Sequence, residues 1–175
     1  SNMYDSVSQL IRDVFFTVSS IITSTGYTTA NFNSWPTFSK PILLFLMFVG
    51  GCAGSTAGGF KVSRVIIIFK QVIREFKKVG HPNKVLNMKL EGKTIDKEMI
   101  NGVNSYFVLY FSVFIILLLL VSLDSSTFLT AFSSVLSIFN NIGPGLDDTA
   151  ANFSVYSNFT KFVLSLGMLL GRLEI

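Results

Sequence analysis

Two short loops carry residue types suited to holding a bare cation. The first is Thr23-Ser24-Thr25-Gly26-Tyr27-Thr28-Thr29 and the second is Asn140-Asn141-Ile142-Gly143-Pro144-Gly145-Leu146. Neither contains a nucleophile beside a base, or a cluster of His, Cys or carboxylates for a metal. Both centre on a glycine among small or polar residues. Glycine adopts positive φ without steric penalty, so a loop built on it can aim successive backbone carbonyls to one side. Carbonyls that replace an ion's hydration shell are the ligands of ion filters. Ser24, Thr25, Gly26 and Tyr27, with Asn141, Ile142, Gly143 and Pro144, are therefore the candidate ligand-bearing positions. Each loop read by itself is an ordinary turn sequence, so the case depends on what precedes and follows it.

A third segment is more distinctive. Gly50-Gly51-Cys52-Ala53-Gly54-Ser55-Thr56-Ala57-Gly58-Gly59-Phe60-Lys61 lies within a charge-free apolar run, Pro41 to Phe60. Glycine costs about 1 kcal/mol per helical position relative to Ala, so a plain helix is disfavoured here. A nucleotide-binding P-loop requires Gly-x-x-x-x-Gly-Lys-Ser/Thr, whereas Phe60 separates Gly59 from Lys61. Close packing of helices through small residues stands as an alternative. The favoured expectation is an unwound intramembrane loop, with Gly51, Gly54, Ser55, Thr56, Gly58 and Gly59 forming a gate beneath the two glycine loops. Arg172 follows ten uncharged residues, Phe162 to Gly171. An intramembrane Arg costs roughly 2.5–3.5 kcal/mol on insertion scales and needs a polar cavity or a partner. At ~10 Å and an effective dielectric of ~20 it repels a permeating cation by about 1.7 kcal/mol, which fits a barrier. Snorkelling to the interface or pairing with Glu174 are the alternatives. Asp147 and Asp148, just after the second loop, could raise the local cation concentration or be a solvated pair.

The elements that position these residues form an internal repeat. Shifted by 117 positions, Phe15 meets Phe132, Thr17 meets Ser134, Ser20 meets Ser137 and Gly26 meets Gly143. After four extra residues, Trp35 meets Tyr156, Lys40 meets Lys161, Met47 meets Met168 and Gly50 meets Gly171. Each unit is a short apolar helix, a glycine loop, an aromatic and polar stretch, and a longer apolar helix. The short helices, 8–22 and 127–140, are under the roughly 20 residues needed to cross a bilayer, so they are expected to re-enter it. Non-helical backbone at membrane depth survives only where protein buries it or it lines a water-filled path. Further helices are expected at 37–50, 60–79, 97–123 and 156–175. Residues 23–29 and 141–146 are the loops, and 51–59 is a break in a span.

Composition agrees. Of 175 residues, 50% are hydrophobic, with a mean hydropathy of +0.57, which marks a membrane chain. Net charge is +4, and ten of the fourteen Lys and Arg fall between Lys61 and Lys97. Basic connections beside spans stay in the cytoplasm, so segment 70–97 is expected inside and the glycine loops toward the outside. Nucleic-acid binding is not expected of a basic stripe set between two spans. Cys52 and His81 are each the single residue of their type, which leaves no Cys-based metal site. No Ser/His or paired-Asp arrangement lies within the membrane segments, so no enzyme is expected. Ser1-Asn2-Met3 reads as a tag remnant, and Ser1 and Asn2 are set aside.

These residues resemble the TrkH/KtrB potassium-uptake family. The resemblance runs through Ser24-Thr25-Gly26-Tyr27, Gly51 to Lys61, His81-Pro82, Asn141 to Gly145 and Gly171-Arg172-Leu173-Glu174. It covers essentially the whole chain, with the last motif more similar to TrkH than to KtrB. The first loop is also similar to the Thr-Gly-Tyr of potassium-channel filters. Phe60 stands where an aliphatic residue is usual.

The resemblance implies an all-α membrane protein built of helix, pore helix, filter loop and helix, repeated four times around one pore. Two of the four repeats are present, and the third lacks its first helix. Residues 3–79 would be the third repeat, 80–96 a cytoplasmic connector, and 97–175 the fourth repeat with its last helix truncated. Gly26 and Gly143 would be the central filter glycines, Gly51 to Gly59 the gate, and Arg172 the residue set against it. The implied function is K+ uptake across the bacterial inner membrane, with Na+ or H+ as the candidate coupled ion and no cofactor. A structural or regulatory fragment that does not conduct by itself is the alternative. Implied partners are the lipid bilayer, a second copy in a homodimer, the N-terminal half of the same protein, and a cytoplasmic TrkA-like nucleotide-binding ring docking near segment 70–97.

Overall fold

The computed structural model describes residues 6–52, 54–55, 57–80, 89–90, 93–150 and 152–173. Thr56, His81, Pro82 and Glu174 lie outside them. Among these residues six α-helices are formed: α1 (Val7–Ile22), α2 (Ser39–Val49), α3 (Val62–Gly80), α4 (Lys97–Ser122), α5 (Phe128–Phe139) and α6 (Asn158–Arg172). The architecture is helical as expected, with one addition. Lys89–Leu90 and Lys93–Thr94 pair as a short antiparallel hairpin, β1 and β2, in the connector.

Local chemistry sets the helix ends. Ser6, Thr127 and Ser157 cap α1, α5 and α6, each side-chain oxygen accepting from the backbone N–H three residues on. Gly50 ends α2 at φ +66, a conformation glycine tolerates. The 26 residues of α4 rise about 39 Å, and α4 is long and apolar enough to cross a membrane. α2 and α5 are shorter apolar helices.

α5 is the centre of the fold. It packs against α4, α6 and α2, while α1 packs on α2 and α3 on α4. The two equivalent short helices therefore have different surroundings. α5 buries eight of its residues, whereas α1 buries only Asp13, Thr17, Ser20 and Ile21. Phe15, Phe16 and Leu10 on α1 remain exposed.

An aromatic cluster joins α2, the residue Phe60 just before α3, α4 and α5. Phe60 stacks on Phe48 at 5.7 Å and meets Tyr106, Phe107 and Tyr110 at 5.5–5.7 Å. Tyr110 in turn lies 4.7 Å from Phe139. Such pairs contribute about 0.5–1.5 kcal/mol each beyond area burial. Phe60, the departure noted in the sequence, is thus the hub that anchors the far side of the break in the membrane helices.

Candidate functional site: two glycine loops above a broken helix

The two loops leave their short helices in the same way. Thr23 N–H donates to the Ser19 carbonyl at 3.0 Å, and Asn140 N–H to Leu136 at 3.1 Å. Ser24 donates to Ile21 and Asn141 to Ile138, at 3.1 and 3.0 Å. Thr25 donates to Ser20 and Ile142 to Ser137, both at 2.9 Å. Ser24 and Gly26 have φ +54 and +77, and their counterparts Asn141 and Gly143 have +56 and +112; Thr25 and Ile142 between them stay at negative φ. Sequence comparison of the loops found only the glycine in common. The backbone adds a second shared left-handed position, at Ser24 and Asn141.

The two loops touch. A Cβ added at Gly26 would lie 2.1 Å from the Ile142 carbonyl oxygen and 3.3 Å from Pro144 Cδ. No side chain fits there. A Cβ at Gly143 meets nothing within 4 Å, so that side of the second loop is open. Tyr27 is 72% exposed.

Hydroxyls on α5 hold the second loop, a feature missed in the sequence. Ser137 Oγ accepts from Gly143 N–H at 3.1 Å, and Ser133 Oγ accepts from Leu146 N–H at 3.0 Å. Ser134 Oγ donates to Thr149 Oγ1 at 2.9 Å and receives the Tyr156 hydroxyl at 2.9 Å. All three serines are fully buried. Their spacing puts them on the loop-facing side of one helix, a pattern visible in Ser133-Ser134-x-x-Ser137. Asn141 Nδ2 donates to the Met168 carbonyl at 3.2 Å, tying the loop to α6.

The Gly-rich segment is broken, as the sequence implied. Helix stops at Val49 and resumes at Val62, and Gly50, Gly54, Gly59 and Lys61 all have positive φ. The two edges of the break meet. Phe60 N–H donates to the Phe48 carbonyl at 3.2 Å and Val62 N–H to Gly51 at 3.1 Å. Gly59 lies so close to Gly50 that an added Cβ would sit 3.0 Å from its Cα. Between these edges the chain makes a loop that returns to its start. Gly54 and Ser55 are exposed on it, whereas Gly51, Gly58 and Gly59 are buried.

This loop seats against both short helices where the glycine loops begin. A Cβ at Gly58 would be 2.1 Å from the Asn140 carbonyl oxygen, and one at Gly51 would be 3.5 Å from that of Ile22. Asn140 is itself pinned, its Oδ1 accepting from the Tyr110 hydroxyl at 2.6 Å. Gly171 reaches the same helix end, with an added Cβ 1.8 Å from the Phe139 oxygen. The break and the turn of α6 that carries Arg172 thus cover consecutive carbonyls of α5. The Arg172 side chain is exposed.

On the opposite side, Asp147 and Asp148 are not a free pair. Asp147 lies 3.5 Å from Lys40 Nζ, and Asn33 Oδ1 accepts from both Lys40 Nζ and the Asp147 N–H, at 3.2 and 3.1 Å. Asp148 accepts from the Ser126 hydroxyl. The contact between Lys40 and Asp147 joins one repeat to the other and sets a positive charge beside one of the two carboxylates. Among the described residues no group of His, Cys, Asp and Glu could hold a metal ion.

Residues 2–175 match a family of cation transport proteins, TrkH. The Trk system potassium uptake protein TrkH of Salmonella typhimurium is 40% identical over 174 residues, covering 99% of this chain and 36% of that protein. The Trk system potassium uptake protein TrkG of Escherichia coli is 40% identical over 175 residues, with the same coverage. The crystal structure of the potassium transporter TrkH from Vibrio parahaemolyticus superposes with a TM-score of 0.90 at 38% identity, covering 99% of this chain and 37% of that one. The chain spans about a third of the length of these relatives.

Proposed function

Because this chain belongs to the TrkH family of cation transport proteins, we propose that it supplies two adjacent filter loops and an intramembrane gate to a potassium-uptake pathway. One observation carries the reading: both loops repeat the same alternation of left- and right-handed backbone, with the same hydrogen bonds, and they touch at Gly26 and Ile142. That alternation turns successive carbonyls toward one side, where they replace the water stripped from a K+ ion. The role of the relatives, potassium uptake, agrees with it. The open flank of Gly143 suits a further loop from the rest of the protein.

The break acts as the gate. It lies across the ends of both pore helices, directly beneath the point where each filter loop starts. Its non-helical backbone is tolerable at membrane depth because Phe60 and its aromatic neighbours bury one edge and the pathway wets the other. Arg172, next to the glycine that meets the same helix end, adds a positive barrier. The protein works in the bacterial inner membrane as a homodimer, completed by its N-terminal half. Segment 70–97 faces the cytoplasm and receives a TrkA-like ring. The filter loops face outward, K+ is the cargo, and Na+ or H+ is the candidate coupled ion.

The test is ion flux into liposomes by the full-length protein, with Gly26→Ser and Gly143→Ser. Both positions have positive φ, and Gly26 has no space for a side chain. Each substitution is expected to reduce the preference for K+ over Na+. Unchanged selectivity in both variants refutes the filter assignment.

A further inference from the structure

We propose that Lys61 is a tethered cation that latches the gate by occupying a backbone carbonyl which a permeating K+ would otherwise meet. The idea rests on the transport reading above and goes beyond it, since Lys61 has no part in the gate there.

Position comes first. Lys61 is the last residue of the break, directly before α3, and its carbonyl accepts the first N–H groups of that helix, from Arg64 and Val65 at 3.1 and 3.2 Å. Movement of the break therefore passes through this residue to α3. Conformation comes second. Lys61 has φ +71, a region that residues with a Cβ rarely occupy. Glycines fill the other left-handed positions of the break, at Gly50, Gly54 and Gly59. A strained side-chain-bearing residue among glycines points to a use for that side chain.

Burial and contact come third. Lys61 is 5% exposed, although lysine is among the residues least often buried. Its Nζ donates to the Ser55 carbonyl oxygen at 3.3 Å, across the loop and six residues back. An ammonium is a monovalent cation with three donors and no acceptor, so it draws on the same oxygen ligands that a dehydrated K+ requires. While it holds Ser55, the loop stays folded beneath the filter. When K+ reaches those oxygens, ammonium and ion compete for them, and the tie can release.

The chain contains its own reporter. Cys52 is its single cysteine; it is exposed and lies on the same loop. The experiment uses the full-length transporter in liposomes, and any other cysteine is replaced. Maleimide labelling of Cys52 and K+ leak are measured for the parent, Lys61→Met, Lys61→Gln and Lys61→Arg, in K+ and in choline.

The parent is expected to label faster in K+ than in choline. The Met and Gln variants should label fast in both and leak at least about tenfold more, the size of change expected when a hydrogen bond to a charged group is lost. The Arg variant, which keeps the charge, should retain the K+ dependence. Selectivity for K+ over Na+ should be unchanged in all of them, which separates this result from failure of the filter assignment. The latch is overturned if parent labelling is indifferent to K+, or if Met and Gln leave labelling and leak at parental levels. It is also overturned if the Arg variant behaves like Met, or if selectivity changes while Cys52 labelling does not. Should Met fail to fold, the comparison of Gln, Arg and parent decides.

Discussion

At residue scale, the fold depends on places where a side chain is missing so that two backbones can meet. Gly58 lies on the Asn140 carbonyl and Gly171 on that of Phe139, with added Cβ atoms at 2.1 and 1.8 Å. Neither contact can relax by rotating a side chain, because the opposing atoms are backbone. Gly58→Ala and Gly171→Ala are each expected to lower stability by about 1–3 kcal/mol, the usual range for overpacking. Gly102, in the middle of α4, has nothing within 4 Å of its added Cβ, so Gly102→Ala should raise stability by roughly 0.5–1 kcal/mol. Thermal unfolding in detergent ranks the three. Equal melting temperatures for all of them would contradict the close contacts. The sequence marked Gly58 as part of the gate, and aligned Gly171 with Gly50. It gave no sign that both cover adjacent carbonyls of one helix end. Ser133, Ser134 and Ser137 share one face of a helix, a spacing the sequence reading passed over, and which backbone groups they hold depends on how the loop folds back.

At element scale, the entry to α6 is held by Asp124, just beyond the end of α4. Its carboxylate accepts from the Ser157 N–H at 2.6 Å and from the Thr160 hydroxyl at 2.9 Å. The Ser157 backbone N–H, helped by the Ser157 and Thr160 side chains, holds this carboxyl below its ordinary value near 3.8. A carboxyl whose folded value is depressed stabilises the fold above its unfolded value, and that contribution fades as pH falls through the folded one. The melting temperature should therefore drop as pH is lowered below about 4. Asp124→Asn should melt lower than the parent at pH 7 and lose part of that acid dependence. A parallel pH profile for both proteins would remove Asp124 from the account. The helix boundaries were readable within one to three residues, because caps, charges and apolar runs are local signals. The hairpin at Lys89–Leu90 and Lys93–Thr94 was not expected, since so short a ladder leaves almost no pattern.

At the scale of the whole molecule, the break, both pore helices and the last turn of α6 converge on one level. Arg172 belongs to that level through Gly171. In the full-length protein, Arg172→Ala is expected to raise K+ leak by more than about tenfold, in line with a barrier of about 1.7 kcal/mol at ~10 Å. Unchanged or reduced leak would make Arg172 an anchor instead. The opposite level is clamped by Lys40, Asn33 and Asp147, which join the repeats on the side of the glycine loops. A chain with Phe15, Phe38, Phe45, Phe69 and Phe76 exposed needs lipid or further protein over those faces.

What the sequence determined by itself is the repeat, the apolar helices, the two glycine loops and the broken span. These follow from local periodicity, glycine content and self-similarity, none of which requires a distant contact. The tertiary structure decided the rest. It set Gly26 against Ile142, laid the break on the ends of α1 and α5, and made Phe60 the hub of the aromatic cluster. It also drew Lys61 inward onto Ser55. Each of these joins residues far apart in the chain or across a folded loop, and such close approach depends on how helices pack around α5, which no single segment encodes.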